Sequence, residues 1–294
     1  MCTANSLNSM RMDVISKPAA SAGTVKLGEL IVNRMAFGAM RLCGSNVWGP
    51  PKDRANAHRV LRRALELGIN FVDTADSYGP EVSEILIAEA LHPYPRDLVI
   101  GTKGGLLRPS PPRWDVDARP EHLRRALEGS LARLKLECID LYQLHAPDSK
   151  VPFADSVGAL ADAQRAGKIR HIGLSNVSVK QLEQACRIAA IVSVQNRYNF
   201  EERVAEDVLR ACESKGIAFI PWFPLGAGSA LKSAKVKRTA ARLNASPAQV
   251  LLAWLLTRSS IVLPIPGTAS LAHLEENIKA ATLKLTDADL AALS

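Results

Sequence analysis

Residues 139–174 read IDLYQLHAPDSKVPFADSVGALADAQRAGKIRHIGL, and this stretch decides the fold. Ile139–His145 is a short β-prone run. Pro152–Ala166 has apolar residues at helical spacing and stops at Gly167, and Ile169–Leu174 is a second β-prone run. A strand, a helix and a strand within 36 residues predict parallel strands joined by a helical crossover.

The same alternation continues on both sides. Upstream, strands are predicted at Arg34–Ala39, Ile69–Thr74 and Leu98–Lys103, with helices at Asp53–Leu67, Glu81–Leu91 and Pro120–Leu134. Downstream, strands are predicted at Val192–Gln195, Ile217–Pro221 and Ile261–Ile265. Helices fall at Val179–Ile188, Glu202–Lys215, Ser233–Leu243, Pro247–Thr257 and near Leu271–Ala280, with Ser246 as an N-cap. Thr24–Val32 reads as a hairpin turning near Gly28. Eight strands, each followed by a helix, predict an α/β fold of the closed parallel (β/α)8 TIM-barrel type. The open doubly wound alternative usually has a glycine-rich turn after its first strand, but here residues 39–44 read AMRLCG. Residues 23–294 are expected to be one domain. Residues 1–22, rich in Ser, Ala and Asn and without an apolar leader core, are expected to be a flexible extension.

The chain of 294 residues carries 37 basic and 29 acidic side chains, a net charge of +8. The basic residues are spread along it, which speaks against a nucleic-acid partner. The nearest cluster, Lys232, Lys235, Lys237 and Arg238, reads as a solvated helix face or a guide for an anionic cofactor. Five scattered cysteines without a CxxC pair predict neither disulfides nor a zinc site, and suit a reducing cytoplasm. The sequence has no apolar run of about 18 residues, so no membrane span is expected.

In a barrel of this kind, chemistry gathers where strands end. Asp73, Lys103, His145, Ser175 with Asn176, Gln195, Trp222, and Gly267 with Thr268 all fall at or just beyond expected strand ends. A lysine ending an apolar strand needs a partner, and Asp73 is the natural one. Tyr78 lies five residues beyond Asp73, where a nearby Lys103 cation is expected to lower its phenol pKa and make it a general acid. A neutral His145 is expected to hydrogen-bond a substrate carbonyl. No Cys or Ser triad and no metal-ligand cluster is legible, which leaves hydride from a bound cofactor as the nucleophile. Ser175, Asn176 and Gln195 suit a carboxamide, and Trp222 suits stacking on a ring.

These motifs occur in a familiar order: Asp73–Gly79, Gly101–Lys103, Leu141–His145, Gly173–Asn176, Pro224–Gly226, and Pro266–Thr268 with Glu275–Asn277. Together they resemble the aldo-keto reductase superfamily over about residues 24–280. The resemblance implies a Tyr78, His145, Lys103, Asp73 tetrad, extended NADPH binding without a Rossmann motif, and an N-terminal hairpin closing the barrel floor. It also implies cofactor contacts from Phe223, Leu225, Gly226, Gly267, Thr268, Ser270, His273, Glu276 and Asn277. Trp48–Pro51, Ser77–Pro80, Trp222–Leu225 and Pro266–Asn277 are most similar to bacterial pyridoxal reductase-like members, so pyridoxal is a candidate substrate. Gly267 and His273 stand where a Lys or Arg clamp for the 2′-phosphate is common, which leaves NADH use open.

Trp48 and Trp114 are expected to line an apolar substrate pocket. With no long C-terminal segment after the last helix, an open mouth and broad specificity toward bulky ketones or sugars are expected. A monomer or weak homo-oligomer is expected. Two other readings are a non-catalytic nucleotide-binding subunit and a Schiff-base aldolase acting through Lys103.

Overall fold

The computed structural model describes residues 17–293. An N-terminal hairpin, β1 (Thr24–Leu27) and β2 (Leu30–Asn33), precedes β3 (Phe37–Gly38), α1 (Arg54–Glu66), β4 (Phe71–Asp73), α2 (Val82–Leu91) and β5 (Val99–Gly104). A small hairpin, β6 (Leu106–Leu107) and β7 (Asp115–Val116), interrupts the alternation. Next come α3 (Pro120–Leu134), β8 (Ile139–Leu144), α4 (Phe153–Arg165), β9 (Ile169–Ser175), α5 (Val179–Cys186), β10 (Ile191–Arg197), α6 (Glu206–Lys215) and β11 (Ala218–Trp222). The chain continues through α7 (Ala234–Arg242), α8 (Pro247–Arg258), α9 (Leu271–Ile278) and α10 (Asp287–Leu293).

Local chemistry explains the boundaries. Asp53 caps α1 by accepting from Asn56 N. Capping boxes start α5, where Ser178 pairs with Gln181, and α8, where Ser246 pairs with Gln249. Pro120 opens α3, where its missing N–H costs nothing. α1 buries Ala57, Val60, Leu61 and Ala64 on one face, as its spacing predicts.

β3, β4, β5, β8, β9, β10 and β11 form one parallel sheet in that order. The expected eighth strand, Ile261–Ile265, is not a regular strand. Leu263 N donates to Phe219 O at 2.9 Å, and Ala36 N donates to Pro264 O at 3.1 Å, so the segment still bridges β11 to the chain just before β3. Pro264 and Pro266 have no N–H to donate, which explains the broken ladder. The curled sheet and this bridging segment make an α/β barrel. Inside it, Ala36, Phe71, Val99, Leu141, Ala218, Ile220, Leu263 and Ile265 pack together, and Val25, Leu27 and Val32 of the hairpin join the same cluster. A β-carbon at Gly28, in the hairpin turn, would overlap the His171 ring.

Residues 17–22 of the expected extension are described. Pro18–Ala22 forms a 3-10 turn with Ala19 buried, and Ala19 N donates to Leu67 O at 3.0 Å. Burial of Ala19 and that backbone bond tie down residues whose composition reads as a linker. Residues 1–16, the rest of the expected extension, lie outside the described residues.

Candidate active site

The strand register gathers the site. Asp73 pairs with Gly101, Lys103 with Gln143, Gln143 with Gly173, and Ser175 with Gln195 across successive strands. Of these, Asp73, Ser175 and Gln195 face a cavity of about 460 Å³. Asp73, Tyr78, His145, Ser175, Asn176, Gln195, Trp222, Phe223, Leu225, Gly267 and Trp114 line it.

Lys103 is fully buried. Its Nζ donates to Asp73 Oδ1 at 2.6 Å and to Thr74 O at 2.8 Å. Burial alone would pull the ammonium pKa down, but Asp73 and Tyr78 outweigh it and hold it above its ordinary value. A Schiff-base lysine needs a neutral amine, so this geometry disfavours the aldolase reading. Asp73 Oδ2 also accepts from Gln195 Nε2 at 2.8 Å and from Gln143 Nε2 at 3.2 Å. Three donors on one buried carboxylate satisfy a charge that would otherwise be costly.

Lys103 Nζ lies 5.2 Å from the centre of the Tyr78 ring. The expected lowering of the Tyr78 pKa is not found. Burial raises it, and the opposing pull of Lys103 only partly offsets that. The phenol therefore holds its proton at neutral pH, which is the state an acid needs before it acts. His145 stands edge-on to Tyr78, with ring centres 5.8 Å apart, and Ser77 Oγ lies 3.4 Å from its Nδ1. Burial, with Lys103 adding to it, depresses the His145 pKa well below its ordinary value, so the imidazole is neutral.

The polar residues beside the tetrad are interlinked. Ser175 Oγ donates to Gln195 O at 2.8 Å. Asn176 adopts φ 59°, donates to His145 O at 3.0 Å, and accepts from Trp222 Nε1 at 3.0 Å.

Several predicted residues sit away from the cavity lining. Ser270 caps α9 by accepting from His273 N, and Thr268 Oγ1 accepts from Ser270 N at 3.0 Å. His273 is exposed, Glu276 is half-buried and Asn277 is buried. Gly226 is buried just beyond β11. Trp48 does not line the cavity either, because its ring faces the Arg108 guanidinium instead.

The sequence reading misses Gln143, which stands inside a quoted motif without a role, and Ser77. It also misses Met40, Arg41, Leu106 and Leu231, which line the cavity from segments with no motif of their own. Gly38 and Gly267 meet at the seam between β3 and the bridging segment. A β-carbon on Gly267 would overlap Gly38 O, and one on Gly38 would overlap Ile265 O. No helix among the described residues is long and apolar enough to cross a membrane.

The neutral His145 has a consequence for stability. Its folded pKa is depressed, so its contribution is fully present above about pH 6.5 and is lost as pH falls toward the folded value. The expected result is that Tm of the wild type drops more steeply below about pH 6.5 than Tm of His145→Gln. Parallel slopes in thermal melts across that range would contradict the assignment.

Comparison with known proteins agrees with this geometry. The model of the Aldo/keto reductase family matches residues 34–294. An uncharacterized oxidoreductase of Schizosaccharomyces pombe is 49% identical over 91% of this chain and 88% of its own. Pyridoxine 4-dehydrogenase of Escherichia coli is 44% identical over 93% of this chain and 98% of its own. Among solved structures, an aldo-keto reductase from Klebsiella pneumoniae in complex with NADPH has TM-score 0.78 at 26% identity, covering 92% of this chain and 93% of its own. The chain belongs to the aldo/keto reductase family and is an oxidoreductase.

Proposed function

We propose that this chain reduces an aldehyde or ketone to an alcohol with NADPH, using Tyr78 as proton donor. The observation that carries this reading is the buried Lys103–Asp73 ion pair beside Tyr78 and His145, which line one cavity with Asp73. NADPH, when bound, supplies the hydride. His145 donates a hydrogen bond to the carbonyl oxygen and orients it. Tyr78 gives its proton to that oxygen, and the Lys103 cation favours the phenolate left behind. Asp73, held by Gln143 and Gln195, keeps Lys103 in place.

The donor set fits the cofactor. Ser175, Asn176 and Gln195 offer hydroxyl and amide groups on the cavity wall to a carboxamide, and Trp222 offers an aromatic face. Phe223, Leu225, Gly226, Gly267, Thr268, Ser270, His273, Glu276 and Asn277 are proposed along the rest of its length. Pyridoxal is the proposed small-molecule substrate, on the strength of the relative that is named a pyridoxine dehydrogenase. The hairpin β1–β2 is proposed to close the barrel floor, supported by its share in the interior cluster. The free, scattered cysteines among the described residues support a reducing cytoplasm, and a monomer or weak homo-oligomer is proposed.

Purified protein mixed with NADPH and pyridoxal or 4-nitrobenzaldehyde should show cofactor oxidation at 340 nm. No oxidation with any carbonyl compound, together with no NADPH binding, would reject the reading. His273→Ala is expected to raise KM for NADPH more than KM for NADH, since His273 is exposed in the first turn of α9, where a helix N-terminus favours an anionic phosphate. Equal changes in both would remove His273 from phosphate recognition.

A further inference from the structure

Arg108 directly follows β6 and Trp114 directly precedes β7. The register Leu106↔Val116 and Leu107↔Asp115 continues to this pair, so the two side chains oppose each other across the hairpin. The Arg108 guanidinium lies 3.9 Å from the centre of the Trp114 ring and 5.8 Å from that of Trp48. It is 6% exposed, and its Nη2 donates to Asn46 O at 2.7 Å.

Both partners lead to Tyr78. Trp114 lines the cavity and meets the Tyr78 ring edge-on, with centres 6.5 Å apart. Trp48 bridges to Gly79, and Gly49 N donates to Gly79 O at 2.6 Å. The contacts thus close a ring: Tyr78, Gly79, the 44–50 loop, Arg108, Trp114 and back to Tyr78. Asn46 and Val47 both hold positive φ, at 58° and 56°. A β-branched residue in that region is strained, and such strain persists only where neighbours over-determine the backbone. The Arg108 bond to Asn46 O is one such restraint.

We infer that Arg108 is a positioning residue that sets substrate choice by clamping Trp114 as a flat aromatic wall beside Tyr78. Trp114 is 38% exposed, and without the clamp its indole is free to leave the cavity. The wall favours planar aromatic aldehydes over small aliphatic ones, because stacking rewards only a flat ring. This inference rests on the carbonyl-reductase reading.

The test compares 4-nitrobenzaldehyde with propanal in the wild type, Arg108→Lys, Arg108→Met and Trp114→Leu. Lysine keeps the charge but loses the planar stack. Both Arg108 variants should raise KM for 4-nitrobenzaldehyde about tenfold, with a smaller change in kcat, and lower the aromatic-to-aliphatic ratio of kcat/KM about tenfold. Trp114→Leu should do the same, and adding Arg108→Lys to it should change the ratio little further. An unchanged ratio in the Arg108 variants overturns the inference, as does an equal loss of kcat on both aldehydes, which marks a merely structural role. Should the Arg108 variants be too unstable to assay, an unchanged ratio in Trp114→Leu alone overturns it. A wild type that reduces neither aldehyde sinks the underlying reductase reading instead.

Discussion

Tyr78→Phe is expected to lower kcat by about 10²–10⁴-fold while NADPH affinity stays within about twofold, the usual size of a general-acid contribution. The substitution removes one oxygen and leaves the ring. The edge-on contacts of that ring with Trp114 and His145 survive, so the fold and the cavity wall should be kept. What disappears is the proton that burial holds on the phenol. Steady-state kinetics with cofactor titration by fluorescence separate the two effects. Normal turnover in this variant removes Tyr78 as the acid, whereas loss of both turnover and cofactor binding points to a collapsed site.

Lys103→Met is expected to lower stability as well as activity. It leaves the Asp73 carboxylate 2% exposed, with Gln143 and Gln195 as donors but no cation. Removing one member of a buried pair costs about 3–5 kcal/mol, because the other charge stays desolvated. For a chain of this size that is a Tm loss of roughly 6–20 °C. Adding Asp73→Asn should recover most of the Tm, since the stranded charge goes with it, but none of the activity. A double variant no more stable than Lys103→Met would show that the pair is not coupled. Thermal melts of the cofactor-free protein decide this.

Much of the barrel is legible in the sequence because strand and helix periods alternate cleanly around punctuating Gly and Pro residues. The tetrad is legible because register carries strand ends to one place: once Ile69–Thr74 and Leu98–Lys103 are parallel neighbours, Asp73 and Lys103 must approach each other. Position along the chain says less about what each group then does. A cationic neighbour predicts a lowered pKa for Tyr78, but burial is a property of the whole fold, and it prevails. Gln195 reads as a cofactor contact, whereas in the structure its amide donates to Asp73. Trp48 and Trp114 look alike as pocket aromatics. Only the short pairing of β6 with β7 places Trp114 on the cavity and Trp48 behind Arg108. The bridging segment at residues 261–265 reads as a strand because its apolar pattern is right, while Pro264, and Pro266 just beyond it, remove donors that the pattern ignores.

The glycine seam between β3 and the last bridging segment has an evolutionary side. Gly38 and Gly267 press backbone against backbone, with no space for a β-carbon on either. Point mutation can offer that surface no new functional group, since nearly every replacement collides with a carbonyl oxygen. Whatever lies across it meets peptide atoms that descent cannot diversify. Adaptation at this rim is therefore channelled to the flanks: Met40 and Arg41 on one side, and the residues leading into α9 on the other. A saturation library over residues 38–41 and 266–273 should return both glycines almost unchanged, with its tolerated diversity confined to those margins.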